Sequence, residues 1–112
     1  MVHLSGSREP IWRAKGDQMA IGLLTLHIRI PMCASLKEKR SQLKPFLHRL
    51  GKELNIGVAE LDFQDSWGES LIGCVTVSND GAHTQRSLQK VVTWIERHYP
   101  QFDIVQDRIE LF

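Results

Sequence analysis

Hydrophobic and polar positions along this chain fall into six patterned stretches. From Ala20 to Ile30 the pattern alternates: Leu24, Leu26, Ile28 and Ile30 share one face, and Ile21, Leu23, Thr25, His27 and Arg29 share the other. That is a strand, ended by Pro31, which has no N–H for a ladder. The period then changes to that of a helix. Leu36, Leu43, Phe46, Leu47, Leu50 and Leu54 form one stripe. Ser35 followed by Glu38 is a capping box that opens this helix. Pro45 removes the bond to the Ser41 carbonyl and predicts a local kink, and Gly51 weakens the last turns. Asn55 to Phe63 and Leu71 to Ser78 read as two strands of a hairpin around the polar turn Gln64–Glu69. Asn79 or Asp80 caps a second helix, whose stripe is Leu88, Val91, Val92, Ile95 and Tyr99, with Trp94 beside Lys90 off that stripe. Pro100 stops it, and Phe102 to Leu111 is a last strand.

The order β-α-β-β-α-β predicts an α+β, ferredoxin-like sandwich. Two helices cover one face of a four-stranded antiparallel sheet with strand order 4-1-3-2. Residues 1–18 carry no periodicity and are read as a flexible N-terminal extension, anchored if at all by Ile11 and Trp12, with Met19 as an alternative start. Residues 19–112 then form a single domain.

The charge balance is +1, which argues against a surface that grips nucleic acid all over but leaves room for a local basic face. Cys33 and Cys74 are too few and too far apart for a disulfide framework or a metal motif, and fit free thiols in a cytoplasmic protein. The chain shows no apolar run of membrane-spanning length and no signal-peptide h-region, so no membrane partner is expected.

Three segments stand together: Ser35-Leu36-Lys37-Glu38-Lys39-Arg40, then Val58-Ala59-Glu60-Leu61-Asp62 with Gln64-Asp65 and Trp67, then Val77-Ser78-Asn79-Asp80. In combination they resemble the YlxP-like family of small bacterial proteins of unknown function, from Met19 to the C-terminus. The resemblance implies the ferredoxin-like fold and a gene beside those for translation factors, near initiation factor two and the ribosome-binding factor A. It carries over no catalytic residues, and no cofactor is expected. Pro45 inside the first helix departs from the family's pattern.

Candidate chemistry is concentrated on the first helix. Lys37, Arg40, Lys44, His48 and Lys52 recur three or four apart, a ladder suited to phosphate oxygens. These five are the expected nucleic-acid contacts, with ribosomal RNA or a ribosomal subunit as partner. Asp65 and Trp67 at the hairpin tip are a secondary contact; their bland reading is a polar turn around a packed Trp. The two central strands hold no aromatic residue, so base stacking on the sheet is not expected. Ile21, Leu23, Ile72 and Cys74 are instead expected to make an apolar patch on the open face, a surface for self-association. The histidines share no ligand spacing, so no metal site is expected. Pro31-Met32-Cys33-Ala34 is no glycine-rich phosphate cradle with an arginine. An acylphosphatase-like activity on this fold is therefore not favoured, and no catalytic constellation is recognised.

Overall fold

The computed structural model describes residues 19–112. The expected extension over residues 1–18, with Ile11 and Trp12, lies outside the described residues. The elements are β1 (Ala20–Arg29), α1 (Leu36–Leu54), β2 (Gly57–Asp62), β3 (Glu69–Ser78), α2 (Gly81–His98) and β4 (Asp103–Leu111). Strands pair antiparallel in the order β2-β3-β1-β4, the predicted order read from the other edge.

Local chemistry accounts for the element ends. The Ser35 hydroxyl accepts from the Glu38 N–H at 3.1 Å. The Glu38 carboxylate reaches back one residue further than a standard capping box, taking the Ala34 N–H at 2.8 Å. Asn55 closes α1 in the left-handed region (φ 54°), where asparagine is tolerated. That turn moves the start of β2 from the predicted Asn55 to Gly57. α1 runs from Leu36 to Leu54 through Pro45, whose ring lies on the exposed side. Asp80 is the N-cap of α2, its carboxylate accepting from the Ala82 N–H at 3.0 Å.

The core lies between the sheet and the two helices. Leu24, Leu26 and Ile28 of β1 meet Leu43, Phe46 and Leu50 of α1, and Leu88, Val91 and Ile95 of α2. Phe46 is fully buried and packs edge-on against Tyr99 (4.8 Å) and Phe102 (4.9 Å), each such pair worth about 0.5–1.5 kcal/mol beyond the area it buries. Tyr99, expected on the α2 stripe, is the residue that ends the helix and turns its ring into this cluster. α2 comes so close to β1 at Gly22 that a Cβ there would sit 2.5 Å from Thr84 Cγ2 and 2.8 Å from Leu88 Cδ1.

Register overturns one expectation. Leu24 pairs with Cys74 and Leu26 with Ile72, and paired residues share a face. Ile72 and Cys74 therefore belong to the core, fully buried, and are not on the open face. The open-face partners of Ile21 and Leu23 are Val77 and Val75.

Candidate nucleic-acid interface

At 100° per residue, Lys37, Arg40, Lys44, His48 and Lys52 occupy one arc of α1 turned away from the core stripe. All five are exposed, and the row runs about 22 Å along the helix at 1.5 Å per residue. Among the described residues, no carboxylate pairs with any of these lysines or with Arg40. The nearby acids are engaged elsewhere: Glu38 caps the helix, and Glu53 pairs with Arg49. The hydrogen bond from Arg49 holds the Glu53 carboxyl below the usual carboxylate range. The Arg49 guanidinium also lies over Trp94, 5.2 Å from the ring centroid, so it belongs to a packed cluster and not to the row.

The near-zero net charge conceals a division between layers. The two helices carry nine lysines and arginines against three carboxylates, Glu38, Glu53 and Glu96. The strands and connections of residues 19–112 carry only Arg29 and Arg108 against eight carboxylates. On α2, Arg86, Lys90 and Arg97 are all exposed, so both helices present cations to solvent. The helical layer is a positive face on a molecule that is otherwise acidic.

Lys39, a member of the same basic stretch, points the other way. It is 2% exposed and its ammonium donates to the Phe63 carbonyl at 2.6 Å and lies 3.0 Å from Glu60 Oε2. The Ser70 hydroxyl donates to the same carboxylate oxygen at 2.6 Å. Helix α1, both hairpin strands and the left-handed Phe63 (φ 66°) are thereby tied at one point. No expectation singled out Lys39, Glu60 or Ser70. The signal was in the periodicity, since Lys39 stands between Leu36 and Leu43 on the apolar arc.

At the hairpin, Asp65 is exposed and Trp67 is 54% exposed, so the Trp is not the packed residue that a simple polar turn would hold. His27 is half-buried, 2.8 Å from Glu69 and stacked on Phe63. No group of three metal-ligating side chains gathers among the described residues, and no helix there is long and apolar enough to cross a membrane. Cys33 lies 3.2 Å from the Gln42 side-chain amide, and partial burial raises its thiol pKa. Cys74 is pushed up to about 12 by burial.

The open face of the sheet divides along its length. One end carries Ile21, Val75, Val77 and Phe112, all more than two-fifths exposed, with Leu23 between. Leu61 lies across Gly73 there, walling a shallow apolar groove of ≈ 220 Å³. The other end is polar, with the His27–Glu69 pair, and the Arg108–Glu110 pair borders the apolar end, since Glu110 stands across from Leu23 and Arg108 across from Thr25.

Comparison with known proteins bears on this arrangement. The family described as "Protein of unknown function (DUF503)" matches residues 21–109. An uncharacterized protein of Bacillus subtilis (strain 168), YlxP, is 33% identical over 92 residues, covering 82% of this chain and 99% of the relative. Among solved structures, the de novo designed protein Foldit4 aligns over 82% of this chain and 96% of its own, at 11% identity and a TM-score of 0.49. The resemblance in the basic helix opening, the second strand and the Ser78-Asn79-Asp80 segment thus extends over nearly the whole described domain, and the chain belongs to the DUF503 family.

Proposed function

We propose that this protein is a non-catalytic accessory factor that contacts RNA through the exposed flank of α1, in ribosomal RNA or a ribosome-assembly intermediate. The observation that supports this reading is the row Lys37, Arg40, Lys44 and Lys52, exposed and without carboxylate partners among the described residues, on the positive side of a charge-divided molecule. Such a row meets phosphates at helical intervals and releases counterions when it does. Asp65 and Trp67 at the hairpin tip form the secondary contact. The test measures binding of RNA and of ribosomal subunits against salt concentration, for wild type and a Lys37/Arg40/Lys44 triple alanine variant. The variant should bind more weakly, with a salt slope smaller by about 2–3. Equal binding by both proteins removes this site.

A second reading is favoured by the apolar end of the open face. There a second copy would cover Ile21, Leu23, Val75 and Val77, with the Arg108–Glu110 pair at the rim beside Leu23. A sheet-mediated homodimer leaves both helical layers outward. Sedimentation at micromolar concentration should then give a dimer that Val75→Asp dissociates, and a monomer for the wild type rejects it.

A further inference from the structure

The positive layer contains an aromatic cleft that the lysine row does not use. Leu54 at the end of α1 and Lys90, Thr93, Trp94, Arg97 and His98 of α2 enclose ≈ 270 Å³. This is just below the range of pockets for drug-sized ligands, which suits one small planar group. Its aromatic surfaces are the Trp94 indole and the His98 ring, with centroids 5.0 Å apart and planes tilted by 49°. Trp94 packs against Phe46 and Tyr99 and lies under the Arg49 guanidinium, so its orientation is set before any ligand arrives.

Lys90 and Arg97 stand four residues before and three after Trp94 on the same helix, about 6 Å and about 4.5 Å of rise to either side. Both are exposed, and Glu96, the lone acid of α2, does not line the cleft, while the Glu53 carboxylate of α1, paired with Arg49, approaches Trp94 and His98. The C-terminal ends of helices carry partial negative charge, so an anion here must be held by side chains. These two cations supply that need. An apolar floor, an aromatic wall and a cation one turn away on each side match a nucleotide: the base has a π-face, and phosphates flank it. In duplex RNA the base faces are stacked and unavailable.

We infer that the cleft at Trp94 takes an unpaired base of single-stranded RNA, with the adjoining phosphates on Lys90 and Arg97. This inference rests on the reading of the helical layer as an RNA-binding face and names the form of RNA it selects.

The experiment uses the full chain with Trp12→Phe and Trp67→Phe, leaving Trp94 as the only indole, and repeats each anisotropy titration on the wild-type chain, where the Trp67 contact is intact. Its fluorescence and the anisotropy of labelled RNA are followed with a single-stranded 12-mer, a blunt RNA duplex, inorganic polyphosphate and an oligoglutamate peptide. The single strand should shift or quench the indole emission and bind roughly five-fold or more tighter than the duplex. Trp94→Leu, which keeps an apolar filler against Phe46, should abolish that preference. Trp94→Phe should retain most of it, and Lys90→Gln/Arg97→Gln should lower the salt slope by about one or more. Equal affinity for strand, duplex and polyphosphate, with unchanged indole emission, overturns the base site and leaves the lysine row standing. A quench by the peptide equal to that by RNA also overturns it. Failure of every polyanion to bind takes down this inference and the reading beneath it together.

Discussion

Lys37 and Lys39 are two residues apart on one helix and meet opposite surroundings. Lys37 is exposed, without a carboxylate partner among the described residues, and opens the cation row. Lys39 is 2% exposed and bound to Glu60 and the Phe63 carbonyl. Residue type does not separate them; angle around the helix does. A step of 200° carries a side chain from solvent to the sheet. The basic stretch after the cap therefore combines two roles: one cation clamps the hairpin, and the others remain available to a partner.

The largest expected effect breaks the clamp. Lys39→Met keeps the aliphatic stem but leaves the Glu60 carboxylate and the Phe63 carbonyl without their ammonium, and should cost about 3–5 kcal/mol in urea unfolding. A loss below about 0.5 kcal/mol would place Lys39 with the surface lysines and erase the distinction. Next, a double-mutant cycle of Lys39→Met with Glu60→Gln should return a coupling of about 1–3 kcal/mol, because the two groups touch. Independent effects would mean that the helix is held by packing alone. On the other side of α1, Lys37→Ala, Arg40→Ala and Lys44→Ala should each change stability by no more than about 0.5 kcal/mol, with the effect confined to polyanion binding.

The smallest effect concerns the two thiols, which repeat the contrast between surface and core. At pH 8 native Cys33 should be alkylated well before Cys74, which is fully buried. The folded state keeps Cys74 protonated up to about 12, against an ordinary thiol value of 9.0. Unfolded chains lose that proton first, so its contribution to stability is complete below about pH 9 and falls as pH rises from there towards about 12. Comparable alkylation rates for both thiols in the native protein would contradict the buried placement.

Much of the fold was legible because independent signals agreed. Ser35 and Glu38 mark a helix start, Pro31 and Pro100 mark stops, and alternation in β1 leaves one fully apolar face. β3 was ambiguous for a physical reason. Leu71, Val75 and Val77 alternate with Ile72 and Cys74, so both of its faces are apolar and only pairing with β1 decides which is buried. The row on α1 could be read because exposed cations follow a simple period. Lys39 was not distinguished because a charge on an apolar arc becomes meaningful only when a partner is known. Glu60 lies more than twenty residues away in sequence and meets it only through the fold. The Trp94 cleft combines side chains of two helices, and its enclosure has no local sequence signature.

Both edge strands of the sheet are interrupted. In β2 the ladder skips at Leu61, and in β4 it skips at Val105, each placing two residues of the edge against one of its neighbour. An outer strand broken in this way offers no continuous line of backbone donors and acceptors on which another chain's strand could be laid. At high concentration the protein should resist sideways stacking into fibrous ribbons, and any self-association is left to the flat of the sheet.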